Sequence, residues 1–242
     1  MTKSPADGRF CAKIMEALDD VEYQRLDLEQ EMAGIGRIRS EAYAAVNLLK
    51  LEGEPLIEDV DFDTHAYVFG VHYKGTLVST LRIHHITPEH RVSTTFSMFP
   101  DHLNAWLDSG KSLIDPVRLA ADPSAMRSVP ALPYITLRLA AMASQRLSAD
   151  YVIQLTTPQH APFYKRTFFG FEVAAPIAGE KYGIPIGLHA TDIAESMEAI
   201  RVRFPFFQST PEERHALFDR SAGRTMSKFI KASARHAMLA AA

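Results

Sequence analysis

The segment AYVFGVHYKGTLVSTLRIHHI, running from Ala66 to Ile86, decides the fold. Two runs rich in Val, Tyr, Phe, Ile and Thr flank Lys74-Gly75, a pair suited to a tight two-residue hairpin turn. The chain is read outward from this hairpin. Before it, Ile35, Ile38, Ala42, Ala45, Val46 and Leu49 recur at helical spacing. Ahead of that helix come a short strand at Val21–Leu26 and a polar lead-in. After the hairpin come a short helix at 101–109 and a strand at 112–121 interrupted by Asp115-Pro116. A buried helix over 130–148 carries Leu132, Ile135, Leu139 and Met142, and Tyr151–Leu155 is a core strand. A short helix begins at Pro158 and stops at Gly170, followed by strands opening at Phe171 and covering Ile184–His189. The pattern is helical after Ala190. The expectation is an α/β fold around one mixed, twisted sheet, with a cleft between the fourth and fifth strands. It divides into a lead-in at 1–19, a body at 20–190 and a helical C-terminal extension at 191–242.

Composition removes several classes. The 242 residues are 47% hydrophobic, so global disorder is excluded, and no apolar run approaches the ~18 residues of a membrane span. The single cysteine, Cys11, supports neither a disulfide framework nor a multi-thiolate zinc site. No histidine or carboxylate spacing argues for a metal. No Gly-x-Ser-x-Gly elbow points to a serine hydrolase. Met1–Phe10 contains no apolar signal core, so a cytoplasmic location is expected. The net charge of −3 does not suggest a nucleic-acid binder, but it hides an asymmetry. Residues 201–242 hold 8 Lys+Arg against 3 Asp+Glu, whereas residues 1–200 hold 18 against 26.

Several motifs lie in a telling order. Arg39 and Tyr43 sit on the first helix, and Glu58, Asp61 and Asp63 form an acidic loop after it. Arg82 lies on the second hairpin strand, with Phe96 or Phe99 beyond it. Ile114-Asp115-Pro116-Val117-Arg118 is a carboxylate-x-x-arginine strand. His160 to Phe171 reads HAPFYKRTFFGF. Over roughly residues 20–190 this order resembles the GNAT acyltransferase fold. The closer resemblance is to its N-acyl amino acid synthases and the related acyl-homoserine lactone (autoinducer) synthases. Autoinducer synthases carry Glu where Asp115 stands. They also place a tryptophan soon after the first-helix aromatic, and residues 44–60 contain none.

The resemblance implies transfer of a fatty acyl group from a thioester to the amine of an amino acid or similar small acceptor. An ordinary GNAT enzyme grips coenzyme A pyrophosphate with a glycine loop, and residues 122–133 contain no glycine. That fits a donor on acyl carrier protein, whose pantetheine arm has one phosphate. The implied cofactor is therefore a phosphopantetheine thioester, or acyl-CoA, used as donor and not bound permanently. Alternatives are a lactone synthase, an acyl-CoA-dependent GNAT and a silent acyl-binding regulatory module.

Catalysis is assigned to Asp115 and Arg118. On a regular strand these face opposite sides, and a bulge at Pro116 would bring them together and aim a backbone group at the thioester. Asp115 would orient or deprotonate the amine, directly or through water. Arg82 and Arg118 would hold an acceptor carboxylate or belong, with Arg39 and Asp61, to a bracing ion-pair network. Phe96, Phe99, Tyr134 and Tyr164 are candidates for an acyl tunnel, and His160 lies where the family places a histidine. Lys165 and Arg166 are the candidate docking site for the carrier. In the tail, Arg224, Lys228, Lys231 and Arg235 form a basic helical stripe, beside an apolar set with Met226 and Phe229. This stripe suits a solvated face, a carrier or an anionic membrane surface.

Overall fold

A computed structural model describes residues 8–46, 55–178, 182–220 and 228–241. The hairpin closes as expected. Strands β2 (Ala66–Tyr73) and β3 (Thr76–Ile86) pair antiparallel, with Tyr73 opposite Thr76. The turn puts Lys74 at φ +51° and Gly75 at φ +77°. Two left-handed residues are what a twist-matched turn requires, and glycine meets that need without a Cβ clash.

Around the hairpin lie β1 (Val21–Leu26), β4 (Leu113–Ala121), β5 (Tyr151–Thr156), β6 (Phe171–Ile177) and β7 (Ile186–Asp192). With β8 (Phe229–Lys231) they make one sheet in the order β6-β7-β5-β4-β3-β2-β1-β8. Of the eight strands among the described residues, seven are those read from the sequence. β4 and β5 are parallel and are paired only through Leu113–Tyr151 and Ile114–Val152. They then diverge, and Pro116 has no N–H with which to continue a ladder. This split is the expected cleft.

Alternation on the strands sorts side chains to two faces. Phe69, Leu81, Ile83 and Ile114 enter a large core with α1 (Gly8–Leu18) and, further along, α6 (Leu132–Arg146). Arg82, His84 and Asp115 project to the other face. That face is covered by α2 (Ala33–Ala45) and by the pair α3 (Thr94–Met98) and α4 (Pro100–Asp108). Between β4 and α6 lies α5 (Pro123–Ser128), and between β5 and β6 lies α7 (Ala161–Thr167).

The tail departs from expectation. Residues beyond Ala190 form α8 (Ile193–Arg203), α9 (Pro211–Phe218), β8 and α10 (Ala234–Ala241), so they are not wholly helical. Phe229–Lys231 pair antiparallel with Glu22–Gln24 of β1. The β-branched and aromatic pair Phe229-Ile230 meets the open edge of β1, and edge pairing overrides the helical period read there. Arg224 and Met226 of the expected stripe lie outside the described residues. Phe206 and Phe207 have 0% exposure in the main core. Arg138 of α6 donates to both carboxylate oxygens of Glu213 at 2.5 and 2.7 Å, and to the carbonyls of Phe206 and Gln208. Ser233 Oγ donates to the same Glu213 carboxylate. The tail therefore completes the main core and is tied into it.

Candidate active site

The site is built on an irregularity in β4. Arg82 stands opposite Val117 and Thr80 opposite Ala120, so β4 carries one residue more than β3 over this stretch. The extra residue falls at Arg118, whose φ is +56°. Pro116 itself pairs in register with Ile83, so the bulge lies two residues beyond its expected place. The consequence anticipated from the sequence still follows in part. The bulge turns Arg118 to the α2 face, where Arg82, His84 and Asp115 already lie.

On that face a network of five charged side chains forms. Arg118 donates Nε to Glu58 Oε2 and Nη2 to Glu58 Oε1, both at 2.6 Å. Arg82 Nη1 donates to Glu58 Oε2 and Asp61 Oδ1 at 3.0 Å, and its Nη2 donates to Thr94 Oγ1 at 2.7 Å. Arg39 Nη1 donates to both oxygens of Asp61 at 2.8 and 3.0 Å. A capping box between Glu58 and Asp61 holds the acidic loop in shape. Burial pushes the Glu58 carboxyl up, but the hydrogen bonds and charge of Arg118, with Arg82, outweigh it and hold the group at about 2. Burial likewise opposes ionisation of Asp61, and Arg39 and Arg82 overcome it. Within these five, three guanidiniums against two carboxylates leave one positive charge in excess, before the neighbouring Asp115 carboxyl is counted.

Asp115 is fully buried at the same level, opposite His84 on β3. Its Oδ1 accepts from Thr95 Oγ1 at 2.6 Å, and among the described residues its Oδ2 has no hydrogen-bond partner. Burial raises its pKa, against the opposing pull of Thr95, Ser93 and Arg82. Burial, and then the charge of Arg82, push His84 down to about 3, so that imidazole is neutral.

The split between β4 and β5 encloses a cleft of about 510 Å³. Its walls include Pro116 to Ala121 of β4, Leu132 to Tyr134 at the start of α6, and Thr157, His160, Phe163 and Tyr164. Tyr43 of α2 reaches in and donates its hydroxyl to the Leu119 carbonyl at 3.1 Å. His160 Nδ1 lies 3.0 Å from Thr157 Oγ1. Tyr164 is held at about 12 by burial, so it stays a neutral phenol.

The candidate residues thus divide into groups. Arg118, Tyr134, His160 and Tyr164 line the cleft. Arg39, Asp61 and Arg82 lie behind Arg118, with 0, 4 and 0% exposure. Asp115 also lies behind the wall, one residue before Pro116. Phe99 packs with Leu103, Leu107 and Leu188, and Phe96 lies against the same cluster, which meets the cleft wall at Leu155; neither ring lines the cleft itself. Lys165 and Arg166 are exposed on α7. Glu58 joins two arginines, and Thr94 and Thr95 pin Arg82 and Asp115. The Ser93-Thr94-Thr95 run carried a helix-cap signal that could have drawn attention to them. Ser93 is indeed that N-cap, accepting from the Phe96 N–H. Among the described residues, no group of three or more His, Cys, Asp or Glu is placed to hold a metal ion.

No curated protein matches the chain by sequence. Among solved structures, FeeM, an N-acyl amino acid synthase from uncultured soil microbes, aligns with TM-score 0.63 at 19% identity, covering 73% of this chain and 93% of that one. The acyl-homoserine lactone synthase LasI aligns with TM-score 0.53 at 13% identity, covering 74% and 92%. A CoA-dependent acyl-homoserine lactone synthase, BjaI, aligns with TM-score 0.51 at 14% identity, covering 73% and 81%. The family model "N-acyl amino acid synthase FeeM" matches residues 34–192, which span the acidic loop, the β4 bulge and the cleft. The chain therefore belongs to the FeeM N-acyl amino acid synthase family.

Proposed function

We propose that the protein transfers a fatty acyl group from a carrier-bound thioester to the amine of an amino acid or similar small acceptor. The observation that carries this reading is the open edge of β4 in the cleft, with the Arg118 bulge in its wall. The thioester carbonyl lies against that edge, where backbone N–H groups freed at the bulge stabilise the oxyanion. The acceptor's carboxylate is drawn to Arg118, the member of the cationic network that reaches the cleft. The amine nitrogen attacks the carbonyl carbon and the C–S bond breaks. An amide and a thiol result, with one proton passing from nitrogen to sulfur by way of a base.

Asp115 is assigned as that base. A buried carboxyl with a raised pKa and an unpartnered oxygen is a stronger base than an ordinary carboxylate. One observation favours a second candidate: His160 lines the cleft directly and Asp115 does not. Loss of turnover in Asp115→Asn with retention in His160→Ala assigns the base to Asp115, and the reverse assigns it to His160.

Carrier protein is preferred over coenzyme A as donor. Asp122 caps α5 by accepting from the N–H groups of Ser124 and Ala125 at 2.9 Å. Those amides are already engaged, and residues 122–133 hold no glycine for a phosphate-gripping loop. Lys165 and Arg166, on the exposed side of the helix that also walls the cleft, are the proposed contact for an acidic carrier.

The test is release of free thiol when the protein is mixed with acyl carrier thioester or acyl-CoA and pooled amino acids. Release that requires the acceptor supports the proposal, and the better donor decides between carrier and coenzyme A. Release only with S-adenosylmethionine would make the protein a lactone synthase. Binding without release would make it a silent module.

A further inference from the structure

A second, narrow cavity continues from the cleft. Pro116, Leu137 and Tyr164 border both spaces. Past them the slot passes Ala140 and Ala141 of α6, whose short side chains leave the groove. It ends on Ile193, Met197 and Ile200 of α8. Its volume is about 20 Å³, room for little more than one water-sized group. Gln154 and Thr191 also line it, and they engage each other through Gln154 Nε2 and Thr191 Oγ1 at 3.1 Å. Met197 and Ile200 are 5 and 1% exposed, so they form a packed stop. The family match ends at residue 192 and α8 begins at Ile193, so this stop is supplied by a part of the chain outside the match.

We propose that α8 is the chain-length gauge of the site, with Met197 and Ile200 terminating the saturated end of the acyl chain. The inference rests on the acyltransferase reading and adds the determinant of donor length. Met197 and Ile200 are packed at its end, so a chain with a further methylene must displace them. A chain that falls short gives up about fourfold in affinity per methylene left unburied. Replacing Met197 by Ala removes three heavy atoms from the stop, so the preferred chain lengthens by about two to three carbons.

The experiment has two arms. In the first, Met197→Ala and Ile200→Phe are given an equimolar mixture of saturated acyl thioesters of graded length, and the amide products are resolved by mass. The expected result is a longer optimum for Met197→Ala and a shorter one for Ile200→Phe. In the second, saturated fatty acids of graded length displace a fluorescent fatty acid from wild type and variants, with no turnover required. The same opposite shifts are expected. Shifts in the binding arm without any amide in wild type would sink the acyltransferase reading and leave the gauge standing. Folded variants with wild-type length profiles in both arms, or no chain binding by wild type, would overturn the gauge. If Met197→Ala fails to fold, Met197→Val and Ile200→Phe carry the comparison.

Discussion

Arg118 grips Glu58 through two bonds of 2.6 Å, from a backbone position with φ at +56°. A non-glycine residue there costs roughly 1 kcal/mol or more. The ion pair holds the bulge in a conformation that the backbone alone disfavours, and the same bulge shapes the cleft wall. Glu58→Gln should therefore lower stability by about 2–3 kcal/mol. This is somewhat less than the ~3–5 kcal/mol for breaking a fully buried pair, since Glu58 keeps some solvent contact. Arg118→Gly should be more stable than Arg118→Ala by about 1 kcal/mol, because only glycine relieves the strain. Urea unfolding of the three variants reads both effects. Equal stability of the Gly and Ala variants would mean that the bulge is unstrained.

Asp115→Asn keeps the size of the side chain and its bond with Thr95. Turnover should fall by on the order of 10²–10⁴-fold, with a melting temperature close to wild type. A collapse of stability together with activity would assign Asp115 to bracing.

Acid should weaken the fold in overlapping steps. The folded pKa of His84 is depressed to about 3, so below its ordinary value of 6.5 the unfolded chain binds the extra proton. Stability is then lost from about pH 6.5 down to about 3. Glu58 is depressed from 4.5 to about 2, and its contribution fades between those values. Asp115 runs the opposite way: its raised pKa favours the fold most below its ordinary 3.8 and less as pH rises. His84→Gln should flatten the decline between about pH 6.5 and 4.5 in a melting-temperature series. An unchanged slope would show that another group titrates there.

Reversal of Lys165 and Arg166 to Glu should raise KM for the carrier-bound donor about tenfold with little change in kcat, and the effect should shrink in high salt. A larger effect from reversing Lys228 and Lys231 would move docking to the tail.

Much of this was legible because strand alternation and the Lys74-Gly75 turn are local signals. The split sheet followed from element order. The bulge position was not legible, since Pro116 keeps its register and the strain sits on Arg118, a residue type with no turn preference. Phe96 and Phe99 pack in the cluster under α3 and α4 and do not line the cleft, and aromatic spacing does not say which face of a sheet a helix will cover. β8 was missed because a three-residue strand has no period of its own and depends on the open edge of β1. Nor did the sequence reveal that Arg138 and Glu213, far apart in the chain, bury each other.

The most direct test of the central claim is mass identification of the product made from purified protein, acyl carrier thioester and a single amino acid. The expected result is an N-acyl amino acid formed in equal amount with free carrier thiol, and absent with Asp115→Asn. Thiol released alongside free fatty acid, with no amide, would contradict it.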